Sequence, residues 1–266
     1  MSLSVVLIFG IVVGASVGLV ATVRRLDPSR RPGFLREIAL IVTLFFVYRA
    51  LRGLTEGGAS EAIANSHNIA TFERSLGIFV EPPMQQAIVQ HQWLVDLANL
   101  IYVWGYWPSI AVTAIWLYTT RESVHHRVRR AIFLSAAIGV VIFALYPVAP
   151  PRLANVQLVD TVRQHVHYYR GFQPEFLTNQ YAAIPSFHVG WLSLVGLALV
   201  QESTRLAIRA LGLILPLLMT WVVIVTGNHY LTDAVIGVAI SLAALPLAAL
   251  LPRFTRGTAE PIREQT

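Results

Sequence analysis

Long apolar runs separated by short arginine-rich links dominate the pattern of this chain. The runs fall at about 3–23, 37–54, 94–118, 131–145, 186–200, 210–226 and 230–251. Each comes near the roughly 20 residues that a helix needs to cross a bilayer. The pattern predicts an all-α, polytopic membrane protein of about seven transmembrane helices. They form one domain over 1–252, with a polar cytoplasmic tail at 253–266. The first run places Gly10, Gly14 and Gly18 at every fourth position, a spacing suited to close helix packing; a glycine-tolerant span is the plainer reading. The segment 55–93 is mixed and amphipathic, and reads as short helices on or dipping into the membrane interface. The fourth span ends at Tyr146-Pro147-Val148-Ala149-Pro150-Pro151-Arg152, where prolines stop a helix. A polar outer loop, 153–184, precedes the fifth span. Neither an internal repeat nor a second domain is visible.

Composition strengthens this picture. The chain is 55% hydrophobic and 13% charged, whereas a soluble domain carries about a quarter charged residues. The formal charge of +6 does not point to nucleic acid, because the basic residues flank the apolar runs. All of them are arginine. Fourteen of the twenty lie in 24–36, 121–130, 205–209 and the tail, which share one side of a seven-span arrangement. The positive-inside rule then puts the N-terminus outside and the C-terminus in the cytoplasm of a plasma membrane. The N-terminal flank carries no positive charge, which argues against a cleaved signal peptide. Without cysteine there is neither a disulfide nor a thiolate-bound metal, and without lysine no amine chemistry.

Candidate chemistry concentrates at the outer starts of spans five and seven. His229 and Asp233 are four residues apart and share one helix face. A carboxylate beside an imidazole fixes its tautomer, and ionisable groups at a span end point to function; a purely structural His–Asp pair is the alternative. His188 follows Pro185 and Ser186, which suit a first helical turn and a cap. Asn228 is the corresponding candidate cap for span seven. Two helix starts at one face would offer amides and positive dipole ends to a phosphate. Arg152, stiffened by Pro150 and Pro151, can fork onto phosphate oxygens. Arg49 and Arg52, near the outer end of span two, either line the same site or snorkel to headgroups. Tyr102, Trp104, Tyr106 and Trp107 could wall a lipid cleft, though an interfacial belt is the commoner use. His165, His167, Tyr168, Tyr169 and Arg170 form a polar-aromatic cluster in the outer loop that could act as a lid.

These residues resemble the type 2 phosphatidic acid phosphatase superfamily, and within it the branch of fungal inositol phosphorylceramide synthase. Pro185-Ser186-Phe187-His188-Val189-Gly190 looks like the family's second motif, and His229-Tyr230-Leu231-Thr232-Asp233 like its third, with the tyrosine favoured in the synthase branch. Ala149-Pro150-Pro151-Arg152 resembles a degenerate first motif. Glu73-Arg74-Ser75-Leu76-Gly77-Ile78, with Glu81, is similar to an upstream block of bacterial relatives. One departure stands out: lipid phosphatases of the superfamily carry Ser-Arg six to seven residues before the last histidine, where this chain has Val222 and Val223.

The resemblance implies a six-helix core and a metal-independent reaction on a membrane lipid phosphate. His229 would be the nucleophile, oriented by Asp233, and His188 the proton donor. Arg152, Ser186, Asn228, Tyr230, Arg49 and Arg52 would bind substrate. No cofactor is implied. Water as acceptor makes a phosphatase; an alcohol such as inositol makes a transferase. Two further readings remain open: zinc held by the two histidines and the aspartate, and a non-catalytic lipid-binding or lipid-transport protein.

Overall fold

The computed structural model describes residues 14, 17–18, 20–161 and 179–250. It is all-helical apart from one isolated bridge, Val148 to Ala182. We number the helices α1 (Arg31–Leu54), α2 (Ala59–Ser75), α3 (Glu81–Val89), α4 (Gln92–Thr120), α5 (Glu122–Leu145), α6 (Phe187–Glu202), α7 (Leu206–Val225) and α8 (Leu231–Leu250). Four of them, α4, α5, α7 and α8, are long and apolar enough to cross a membrane. This is a polytopic all-α membrane protein. The tail, most of the first apolar run and the histidine-tyrosine cluster of the outer loop lie outside the described residues.

Helix α6 is the centre of the bundle. It is apolar on every side and buried along most of its length, as a helix surrounded by others must be. It packs against α4, α5, α7 and α8. Contact with α7 and α8 is backbone to backbone. A Cβ at Gly196 would collide with the carbonyl of Gly212, one at Gly212 with that of Gly196, and one at Gly190 with that of Gly237. The small-residue contact expected of Gly14 and Gly18 is not made: a Cβ at either would meet nothing within 4 Å. Close helix packing belongs instead to the helices that carry the two histidines.

Two boundaries differ from the sequence reading. The basic segment 121–130 is not a loop. Only Arg121 breaks the chain, and α5 begins at Glu122 because no proline or glycine interrupts the stretch. Likewise α1 begins at Arg31, ahead of the apolar run. The arginine-rich segments 24–36 and 121–130 meet at one end of the bundle. There Arg30 pairs with Glu122, Arg121 with Glu202, and Arg129 and His125 with the half-buried Glu37. The opposite end holds the starts of α6 and α8 and the ends of α1, α5 and α7. Helix α6 spans only about 24 Å at 1.5 Å per residue, short of a hydrocarbon core of about 30 Å. Its first turn therefore opens into a recess.

The segment between α1 and α4 forms the two helices α2 and α3. A tight turn joins them: Ile78 donates to the Glu73 carbonyl (2.9 Å) and Gly77 to that of Arg74 (3.1 Å), with Gly77 left-handed at φ 69°. The turn docks α2 and α3 against the start of α8.

Candidate active site

The recess is a cavity of about 320 Å³, lined by residues of α1, α4, α5, α6 and the segments before α6 and α8. His188 and His229 both line it, with ring centroids 5.8 Å apart.

His229 sits just before α8, where Gly227 turns the chain at φ 67°. Its Nδ1 faces two acceptors, the Ala183 carbonyl at 2.8 Å and Asp233 Oδ2 at 3.3 Å. Acceptors on that side require the proton on Nδ1, which leaves the lone pair on Nε2. Asp233 is wholly buried behind the imidazole, and its Oδ2 also accepts from the Tyr230 amide at 2.9 Å. It is absent from the cavity wall. The two histidines and Asp233 therefore do not converge on one point as a ligand set. Among the described residues, the ligand-type side chains that do cluster are Glu37, His125 and His126 at the basic end, where Arg129 also binds Glu37.

His188 lies in the first turn of α6. Its ring stacks on Tyr102 (centroids 4.6 Å) and tilts against Tyr106 (4.8 Å). Both tyrosines belong to a π-helical stretch of α4, Ile101–Gly105, and the residue after it. Such bulges re-aim side chains and recur at functional sites. The aromatic set was expected to form an interfacial belt; Tyr102, Trp104, Tyr106 and Trp107 instead line the cavity.

Arg49, Arg52 and Arg152 all line the cavity, and no carboxylate does among its described lining residues. Arg152 is the most constrained. Its amide donates to the Gly227 carbonyl (3.0 Å), its Nε to Asn228 Oδ1 (3.0 Å) and its Nη1 to Asp160 Oδ2 (2.9 Å). A Cβ at Gly227 would crowd the Arg152 side chain at 3.1 Å, so glycine serves both the left-handed turn and this approach. Arg52 donates to the Asn179 carbonyl (3.1 Å) and lies over the Phe143 ring. No ion pair joins it to a described carboxylate. Val222 and Val223 are fully buried in the core.

Several expected roles change. Asn228 does not cap α8; it holds Arg152 and donates to Thr226 Oγ1. Ser186 occupies the cap position of α6, but its buried hydroxyl has no hydrogen-bond partner. Pro185 precedes that cap rather than forming the first turn. Tyr230 is fully buried, with its hydroxyl 2.7 Å from Ser66 Oγ and outside the cavity wall. The start of α8 is not open to an anion. Its Leu231 amide donates to Glu81 Oε1 and its Thr232 amide to Glu73 Oε1, each at 2.7 Å.

Phe45, Tyr48, Trp107 and Trp191 are shared with a second, apolar cavity of about 100 Å³ between α1, α4, α5 and α6. Ile110, Thr113, Leu117, Val128, Ile132 and Val195 continue it towards the basic end.

A family model described as the PAP2 superfamily matches residues 67–247, well over half of the chain. No curated protein and no solved structure matches it.

Proposed function

The chain belongs to the PAP2 superfamily, and we propose that it is a lipid phosphatase or phosphotransferase working through a phosphohistidine. The observation that carries this reading is the composition of the cavity. Among the described lining residues three guanidinium groups and two imidazoles converge without a carboxylate, and an apolar cavity adjoins them. An anionic headgroup with a hydrocarbon chain fits both halves.

In the proposed reaction His229 Nε2 attacks the phosphorus, and the bond from phosphorus to the lipid oxygen breaks. His188 gives its proton to the departing alkoxide. Asp233 and the Ala183 carbonyl hold Nδ1–H and steady the positive ring. Arg52, Arg49 and Arg152 neutralise charge that grows on the phosphoryl oxygens. His188 then takes the proton of an acceptor hydroxyl, which attacks the phosphohistidine and frees His229.

Water and a polyol are both candidate acceptors. Gln180 lines the cavity and adds an amide suited to hydroxyls, which favours keeping inositol transfer as the second reading. The site lies opposite the arginine-rich end, so the positive-inside rule puts it at the extracytoplasmic face of the plasma membrane.

The test is to incubate purified protein with a panel of lipid phosphates, with and without inositol and with and without EDTA, and to identify products by mass. Expected is phosphate release or headgroup transfer that survives chelation and disappears in His229→Ala. Equal release by wild type and His229→Ala would exclude the reading.

A further inference from the structure

Three consecutive amides at the start of α8, those of Tyr230, Leu231 and Thr232, each donate to a different carboxylate: Asp233, Glu81 and Glu73. All three carboxylates are wholly buried, and the second oxygen of each has no hydrogen-bond partner. A helix start offers about half a positive charge, which cannot balance three buried negative ones. The other groups facing the pair do not supply the difference. Tyr230 is neutral and bonded to Ser66, and Arg74, on α2 itself, lies over the Phe79 ring. No ion pair joins Glu73 or Glu81 to a described basic residue. The Gly77 turn folds α2 against α3, so that the two carboxylates cap adjacent amides of one helix turn.

We propose that Glu73 and Glu81 are positioning residues for His229: they share one proton between their free oxygens, and as a singly charged unit they clamp the first turn of α8. The chain from this clamp to the histidine is short. Leu231 and Thr232 hold the helix start, Asp233 sits in the same turn, and Asp233 Oδ2 meets His229 Nδ1. Neither glutamate lines the cavity, so neither touches substrate.

Both helices that supply the pair lie outside the four long apolar spans. Burial raises both carboxyls, and the neighbouring Glu73 charge adds to the effect on Glu81, which is pushed up to about 8. The native state thus holds a proton that the unfolded chain releases above the ordinary carboxylate range. The stability this proton contributes is complete at low pH and is lost as pH rises towards about 8. Above that, a second charge enters the clamp.

The proposal builds on the phosphohistidine reading, so its test has two arms. Glutamine at one position reproduces the shared-proton state, because its oxygen accepts the amide and its NH2 donates to the partner carboxylate. Glu81→Gln should keep kcat within about threefold at neutral pH and flatten the fall in activity above about pH 8. Glu81→Ala should lower kcat about tenfold or more with KM within about twofold, because only the position of His229 is disturbed. The double variant Glu73→Gln/Glu81→Gln sets two NH2 groups against each other and should behave like the alanine variant. The second arm needs no activity: between about pH 5 and 8 the apparent Tm of the wild type in detergent should fall more steeply than that of Glu81→Gln. Equal losses in Glu81→Gln and Glu81→Ala at wild-type Tm would overturn the proposal, as would parallel Tm profiles. If the wild type releases no phosphate, the functional reading fails, and the Tm arm alone decides the clamp.

Discussion

In the proposed reaction, replacing Asp233 by asparagine isolates what a buried carboxylate contributes behind the attacking histidine. In a triad whose carboxylate is the only group orienting the imidazole, that change costs about 10⁴ in kcat, because the wrong tautomer takes over. Here Nδ1 has a second and closer acceptor, the Ala183 carbonyl at 2.8 Å against 3.3 Å for Asp233. The tautomer should survive, and the loss should be limited to charge. Two unit charges about 4 Å apart interact by about 4 kcal/mol at an effective dielectric constant of 20. The charge of a phosphohistidine is partly offset by its own phosphoryl oxygens, so about 2–3 kcal/mol is a reasonable share. At about 1.36 kcal/mol per decade this is a fall of about 30- to 150-fold in kcat. KM should stay within about twofold, because Asp233 is buried behind His229 and absent from the cavity wall. The assay is phosphate release from a short-chain lipid phosphate in micelles, with His229→Ala as the floor. Apparent Tm must be followed alongside, since Asp233 also accepts from the Tyr230 amide. A loss under about fivefold at unchanged Tm, or one carried by KM alone, would refute the charge argument.

Arg52→Ala removes a cavity guanidinium with no described carboxylate partner, and should lower kcat/KM about 10- to 150-fold, the range for a charged hydrogen bond; Arg52→Lys should recover part of it, because the charge remains but the fork does not. Equal activity in all three proteins would remove Arg52 from the phosphate site. Ile110→Trp fills the apolar groove beyond the histidines. It should lower kcat/KM for long-chain substrates about tenfold more than for short-chain ones, a difference within the range for hydrophobic-pocket contacts. A uniform loss across chain lengths would place the chain elsewhere. Gly196→Val drives a side chain into the Gly212 carbonyl and should lower apparent Tm by several degrees, at about 2–4 °C per kcal/mol for a chain of this size. Gly14→Ala, where a Cβ meets nothing within 4 Å, should leave Tm unchanged.

What was legible in the sequence is what local pattern encodes. Apolar run length marks the four helices long and apolar enough to cross a membrane, and a four-residue interval puts His229 and Asp233 on one face. The arginine distribution picks out the basic end, where Arg121 does meet Glu202 and Arg30 does meet Glu122. What was hidden depends on how helices rotate against each other. Arg52 enters the cavity because α1 packs on α5, and a span-end arginine looks the same in sequence whether it faces lipid or substrate. Tyr102 and Tyr106 resemble a belt until a π-helical stretch turns them onto His188. The glycine spacing of the first run was conspicuous, yet the backbone collisions that demand glycine lie at Gly190, Gly196, Gly212 and Gly237, each set by a residue outside the glycine's own helix.

The start of α8 illustrates the same limit in its chemistry. A bare helix N-terminus beside a catalytic histidine invites the idea of an anion site, because its first amides lack partners within the helix. Whether those amides are vacant depends on residues about 150 positions earlier. Here Glu73 and Glu81, folded together by the Gly77 turn, already use them. In the proposed reaction phosphate recognition therefore falls to guanidinium groups, because the first amides of α8 are already bonded to capping carboxylates. On that proposal the site can do without an arginine where Val223 stands: the cavity cations come from α1 and from the turn at Arg152, and α8 serves to align His229.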